Sequence, residues 1–401
     1  LASTNYATFR IVSLKDFCWE VQTADEFFNP AANNLFLRVF PPQSFECTPP
    51  INLGEDEASD LFRNTATPPG YGLSRTADEV FIATISDARL ATENAFLFSK
   101  HGLMFAESHH SLDWVRLPME RTKGLLPVDF RFTLDGEDVQ APINLARMND
   151  NPPLIEEPAI LLAAPWWMGY HHWIMEVLPR LWVLDEFPQL KDLPIVVPGA
   201  MRDYHLAPLK LLGIDENRLI RFDGDTLDFK RLYVPSFLAP GAYSTRQCTW
   251  LKTKFYNACG ISPKATGTRR YVLSRRDVGN RDIANLAELQ PVIEKHGLEV
   301  ISPGDMSIED QVAAFADAEL VVSPHSAGIV NTVFAPQTCT LVEIMTASYI
   351  NLANCYISSL LGHPYYFLIG DEAGDVSVSG EHDNMSVDPA KLDLVLTQAL
   401  E

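Results

Sequence analysis

The sequence predicts an α/β protein: two Rossmann-like domains facing a cleft, with a β-rich extension at the N-terminus. Two series of apolar strands alternate with helical patterns, one over about 159–237 and one over about 270–345. Alternation of that kind marks parallel βαβ units. A third observation sets the start of the chain apart. Residues 78–107 run in short apolar stretches joined by turn residues, as antiparallel strands do. The expected division is 1–240 for an N-terminal domain, with the extension over about 1–140, and 241–401 for a C-terminal domain.

Taken in order, residues 1–75 read as irregular, punctuated by "NPAANN", "TPP" and "TPPGYG". "EVFIATI", "ARLA", "AFLFS" and "LMFAES" read as four short strands, and the Pro-rich stretch at 143–158 as a linker. "AILLAA" is then a buried strand and "HHWIMEVLPRLWVLDEF" a helix that Pro179 bends. "LPIVVPG" is a strand, "YHLAPLKLLG" a helix stopped by Gly213, and "RLYVPSF" a strand. A break is expected near 238–260. The second series opens with the strand "RYVLS". "NLAELQPVIEKHG" is helical, with Asn285 and Glu288 placed as a capping box, Pro291 as a kink or restart and Gly297 as the stop. "LEVISP" is a strand, Ser307 and Asp310 cap "IEDQVAAFADA", and "ELVVS" and "TLVEIM" are strands.

Composition narrows the function. With 401 residues, 47% hydrophobic and 21% charged, the chain is globular. A net charge of −21 argues against a nucleic-acid partner. No apolar run approaches the ~18 residues of a membrane span, and the longest is broken by Pro165. The six cysteines form no C-x-x-C pair and no cluster with zinc spacing. A reduced cytoplasmic protein of bacterial type is the simplest reading. The chain begins at Leu1, so a lost leader or anchor, and with it a secretory lumen, stays open. Peripheral membrane association and the oligomeric state are open as well.

"LVVSPHSAGIVNTVFAP", residues 320–336, carries a small-residue turn between a strand and a helix. Two chemistries suit it. Ser326 could be the nucleophile of an α/β hydrolase, followed by an acid and a histidine among Asp371, Asp375, His363 and His382. Pro324 stands where a nucleophile elbow has glycine, which counts against that reading. Alternatively, the N–H groups of a helix start hold a phosphate against Ser326, Ala327 and Gly328. A plain turn with no ligand is the third reading. Lys264, Arg269, Arg270, Arg275, Arg276 and Arg281 crowd one stretch of this acidic chain. The last three fall past a strand's C-terminal end, the edge that faces the ligand crevice of a parallel sheet. Arginine forks suit phosphate oxygens, so two anion-seeking features meet. Earlier in the chain, His172, Glu176 and Arg180 follow at intervals of four on one helical face. They read as an acid/base pair with support, or as an ion-pair stripe in water.

At this point the residues resemble a known family. "YHHWIMEVLPRLWVL" is similar to the Y-x-H-W-x-x-E-x-L-P-R-L signature of glycosyltransferase family 61. "YVLSRRDVGNRDIANLAEL" and "SIEDQVAAFADAELVVSPHSAGIVNTVFAPQTCTLVEI" resemble its Y-x-S-R and H-G-A-G blocks, in order over about 159–345. Two departures stand out: Gly169 where the family has Asn, and Ser326 where it has Gly. The resemblance implies an inverting glycosyltransferase of the GT-B type, without metal or other cofactor. It would take a nucleotide-sugar, UDP-linked in expectation, as co-substrate and a glycan or glycoconjugate as acceptor. It also implies roles. Glu176 is the first choice as catalytic base and His172 the second. Ser274, Arg275, Arg281 and the turn His325, Ser326, Ala327 and Gly328 would hold the diphosphate. Asn331 would contact the donor or brace the turn, and Glu343 would take ribose hydroxyls or be a buried structural carboxylate. Tyr170, Trp173 and Arg180 would contact the acceptor or give structural support, and Trp166, Trp167 and Tyr170 could form a sugar platform or pack in the core. A non-catalytic nucleotide-sugar or glycan binder is the remaining alternative.

Overall fold

The computed structural model describes residues 8–63, 72–91, 95–100, 103–105, 107, 129–134, 137–142, 151–164, 166–224, 226–238, 241–374 and 383–401; for 8–11, 129–134 and 137–142 it describes the backbone alone. It is a mixed α/β protein built on parallel sheets. The chain forms two compact units, Leu1–Pro42 with Asp78–Ala239, and Gln43–Ala77 with Pro240–Glu401. Residues 43–77 thus pack with the C-terminal half.

In the first unit, the strands Ala159–Leu161, Ile195–Pro198, Leu219–Phe222 and Leu227–Pro235 are parallel. Numbered along the chain, they lie side by side in the order 3-2-1-4. The reversal falls between Ala159–Leu161 and Leu227–Pro235 and is a topological switch point, where open α/β sheets bind ligands outside the carboxyl ends of their strands. The N-terminal strands extend this same sheet. Val80–Ala91 runs antiparallel to Leu227–Pro235 and to Leu35–Phe40. The expected short strands "EVFIATI" and "ARLA" are one strand of 12 residues, bent at Asp87, whose φ is 52°. Residues 1–75, read as irregular, hold the buried strand Leu35–Phe40 and the helix Glu55–Arg63. Of the expected linker at 143–158, residues 143–150 lie outside the described residues.

The second unit carries Arg269–Leu273, Glu299–Ile301, Ala318–Pro324, Thr340–Thr346 and Tyr365–Ala373, all parallel, in the order 2-1-3-4-5. Its switch point lies between Arg269–Leu273 and Ala318–Pro324. Val272, Leu320, Val322, Val342 and Ile344 pack with Ile293, Leu392 and Leu396 as the core. Local signals account for several helices. Ser307 accepts from the Asp310 N–H and starts Ile308–Ala316. Gly297, at φ 65°, ends Gln290–Lys295.

Two expectations fail for stated reasons. The break near 238–260 holds the helix Thr245–Cys259, which has a Ser244–Gln247 capping box and stops at Gly260. The helix over 285–297 begins only at Gln290, with Pro291 in its first turn. Asn285 does not cap it, because its side chain bonds both backbone groups of Val387. Among the described residues no helix is long and apolar enough to cross a membrane.

Candidate active site

One candidate site lies at the switch point of the N-terminal sheet. The segment after Ala159–Leu161 is helical from Tyr170 to Glu186 but not uniform. Tyr170–His172 is α-helical, Trp173–Val177 a π-helix, Leu178–Trp182 a 3-10 helix and Val183–Glu186 α-helical again. Pro179 explains the change, since it has no N–H to bond back and its ring crowds the carbonyl of Met175. The turn widens before it, as π-bulges do at functional sites.

This backbone sends the three polar groups of the stripe to different places. Both carboxylate oxygens of Glu176 lie 2.9 Å from Nδ1 of His172. The Glu176 side chain is 2% exposed and that of His172 33%. The carboxylate therefore sits behind the imidazole, and Nδ1–H donates to it. Nε2 of the neutral ring is left as the acceptor on the exposed side. Burial disfavours the charged imidazole, but the charge of Glu176 and its hydrogen bond outweigh it, so the pKa is raised above 6.5.

Arg180 turns inward. It is 1% exposed and donates to the carbonyls of Leu161, Leu162, Ala163 and Pro235, which end the two strands of the switch point. Its guanidinium also lies 4.3 Å from the centre of the Phe237 ring. An ion-pair stripe in water is excluded by this burial.

The surroundings hold the imidazole. A Cβ on Gly169 would stand 2.9 Å from Cδ2 of His172, so the ring occupies the space a side chain would need. That accounts for glycine where the family pattern has Asn. Trp166 adopts φ 64° and its ring centre is 6.1 Å from that of His172 at 33°. A left-handed tryptophan costs energy and marks functional sites. Trp167 is core, its carbonyl accepting from His205, and is no sugar platform. Trp173 is fully buried and packs edge-on against His205, whose pKa burial lowers to about 4. Tyr170 is half-buried and meets the Tyr204 ring.

A second candidate site lies at the switch point of the other unit. Val272 pairs with Val322, so Ser274 and Arg275 leave one strand beside Pro324, His325 and Ser326 leaving the next. The basic run divides here. Lys264, Arg269 and Arg270 bond to Asp317, Glu299 and Glu319 toward the far end of the strands. Arg275 is buried, with Nε and one terminal nitrogen on the backbone and side-chain oxygens of Asn280. Burial, and after it the charge of Arg281, lowers its pKa to about 10, so it stays cationic at neutral pH. Arg281 is half-buried at φ 51°, its Nε has no partner, and no carboxylate lies within 4 Å of it among the described residues. Ser274 is buried and accepts from the N–H of Arg276.

The turn itself starts the 3-10 helix Ala327–Phe334. Ser326 precedes it at φ −149°, ψ 154°, ordinary extended backbone and not a strained elbow. Its hydroxyl lies 3.2 Å from that of Ser323. Of the histidines a hydrolase would need, His363 hydrogen-bonds Ala335 and Pro336 at the opposite end of this helix, and burial lowers its pKa to about 3. Asp375 and His382 lie outside the described residues. Among the described residues no base is hydrogen-bonded to the Ser326 hydroxyl, and Ser326→Gly is expected to keep most activity. Loss of all turnover in a folded Ser326→Gly protein would restore the hydrolase.

Two of the named residues, Asn331 and Glu343, work inside the protein, and Gly328 is half-buried. A Cβ on Gly328 would stand in ordinary contact with the Pro303 and Ser326 side chains, at 3.7 and 3.8 Å. Asn331 is fully buried and donates to Gln311, which makes it a brace for the turn. Glu343 is fully buried and accepts from His325, Asn354 and Tyr365. It cannot take ribose hydroxyls. Asn280, Asn354 and Tyr365 had no signal in the sequence, since each acts through a partner that only folding brings near. No group of three or more metal-ligating side chains occurs among the described residues.

No curated protein matches the chain. The family model described as Glycosyltransferase 61 matches residues 170–342, from Tyr170 before the His172–Glu176 pair to the strand that carries Glu343. Over these residues the chain is similar to the glycosyltransferase 61 family, and that match supports a glycosyltransferase.

Proposed function

We propose that this glycosyltransferase is an inverting, metal-independent enzyme of the GT-B class. It moves a sugar from a nucleoside diphosphate sugar, UDP-linked in the first instance, to a hydroxyl of a glycan or glycoconjugate. One observation carries the reading. The 2-1-3-4-5 sheet has its switch point where Ser274 and Arg275 meet His325, Ser326 and a helix start. That combination suits a diphosphate, which helix N-termini and arginine attract together.

In this mechanism the C-terminal unit binds the donor and the N-terminal unit the acceptor. His172 takes the proton of the attacking hydroxyl through Nε2, and Glu176 orients the ring and stabilises its charge. The roles are thus reversed from the first choice, because the buried Glu176 lies behind His172. Arg281 and the start of Ala327–Phe334 offset the charge that develops on the leaving diphosphate. Trp166 offers a face for the acceptor sugar.

The test is a thermal-shift panel of UDP, GDP, CMP and their sugars, with and without EDTA. A ligand at ~100 times its dissociation constant adds ~2.7 kcal/mol, so the donor nucleotide stands out. Arg281→Ala is expected to weaken nucleoside diphosphate binding roughly tenfold or more, the worth of a charged hydrogen bond, and to leave nucleoside binding unchanged. Arg275→Ala should also lose stability, because it releases Asn280. If no nucleotide shifts the protein, the donor assignment fails. Binding without turnover of any nucleotide-sugar would make the chain a binder.

A further inference from the structure

Glu343 lies wholly inside the C-terminal unit, yet three elements converge on it. His325 Nδ1 is 2.7 Å away, Asn354 Nδ2 2.7 Å and the Tyr365 hydroxyl 2.8 Å. These come from the end of Ala318–Pro324, the helix Ala353–Leu361 and the strand Tyr365–Ala373. A buried carboxylate calls for a counter-charge. Of the three partners only the imidazole can carry one. Burial, and then the nearness of Glu343, holds the Tyr365 phenol well above its ordinary pKa of 10, so it stays a donor.

The ring is fixed from other sides as well. The His325 N–H continues the sheet ladder to the Ile344 carbonyl at 2.8 Å, and Tyr349 meets the ring edge-on at 5.7 Å. With Nδ1 held inward, Nε2 is on the opposite edge of a side chain that is 11% exposed. That edge belongs to the residue next to Ser326 and the helix start, at the switch point.

We propose that Glu343 is a positioning residue that fixes the His325 ring through Nδ1, so that the Nε2–H edge donates to the leaving diphosphate. In the step, the bond from the anomeric carbon to the phosphate oxygen breaks and its electron pair stays on that oxygen. Nε2–H of His325 shares or gives its proton there. The acceptor oxygen bonds to the anomeric carbon and its proton passes to His172. Solvent resets both histidines after the diphosphate leaves. The inference rests on the donor reading above and adds the residue pair that would recognise a second phosphate.

The experiment compares the parent protein with His325→Gln, Glu343→Gln and the double variant. Calorimetry measures UDP and GDP against uridine and guanosine, and hydrolysis of UDP- and GDP-sugars gives turnover. His325→Gln should lose roughly tenfold or more in diphosphate affinity and roughly a hundredfold in turnover, with nucleoside affinity unchanged. Glu343→Gln should show the same selective loss although no ligand can touch it. The double variant should be little worse than either, since groups acting as a unit are non-additive. A mere brace would instead lower the melting temperature and leave the ratio of diphosphate to nucleoside affinity intact. An unchanged ratio in His325→Gln overturns the proposal, and an unchanged ratio in Glu343→Gln alone overturns the part given to Glu343. If Glu343→Gln does not fold, Tyr365→Phe removes one donor from the carboxylate. A selective loss there supports the proposal and an unchanged ratio overturns it. A parent protein that binds neither UDP nor GDP overturns the donor reading and this inference with it.

Discussion

Turnover of His172→Ala is expected to fall by ~10²–10⁴, the contribution of a positioned acid or base, with nucleotide affinity changed less than about twofold. Glu176→Gln should fall by less, because Nε2 of His172 is still in place. The double variant should match His172→Ala, as one functional unit requires. The pH profile separates the two roles. The imidazole must be neutral to accept a proton, so turnover rises with pH through its raised pKa. Burial lowers that pKa and Glu176 raises it further than burial lowers it. Glu176→Gln removes the raising contributions and leaves burial, so the acid limb should move to lower pH. Stability follows the same sign. A histidine with a raised folded pKa contributes stability that is complete below its unfolded pKa and is lost as pH rises through the folded value. The melting-temperature gap between parent and His172→Ala should therefore be wider at acidic pH. Near-parental turnover in His172→Ala, with Glu176→Gln inactive, would return the base to Glu176.

Arg180→Ala should be the most destabilising single change, at about 3–5 kcal/mol by denaturant titration. The guanidinium joins the carbonyls of Leu161, Leu162, Ala163 and Pro235 in the buried interior. Truncation leaves four buried acceptors unsatisfied, each costly. Burial lowers the arginine's pKa to about 9, so it remains charged at neutral pH. Arg180→Lys should rescue only part of the loss, because a point charge cannot serve four acceptors as a planar fork does. A loss under about 1 kcal/mol in Arg180→Ala would show that the strand ends hold their geometry without it.

The legible parts of the fold rest on neighbours in sequence. Ser307 with Asp310 and Gly213 and Gly297 each act within a few residues, and the structure has them as caps or stops. Asn285 and Glu288 follow the same local pattern, yet Asn285 bonds Val387, 102 residues away. Leu35–Phe40 looked irregular because its order comes from pairing with Val80–Ala91. The candidate site divides in the same way. The four-residue spacing of His172, Glu176 and Arg180 was plain, but the π-helical turn before Pro179 and the strand ends beneath decide where each side chain goes.

Legible in one chain were the α/β class, most strands of the two alternating series, the helices over Tyr170–Glu186, Asp203–Leu211 and Ile308–Ala316, and the family signature. Periodicity, caps and small-residue turns are local, so one chain suffices to read them. Only the tertiary structure decided the strand orders 3-2-1-4 and 2-1-3-4-5, and with them the two switch points. It also decided that Glu176 lies behind His172, that Arg180 holds strand ends and that Glu343 holds His325. Strand order and burial depend on partners far along the chain, and burial is what turns a charged side chain from a solvated group into a fixed one.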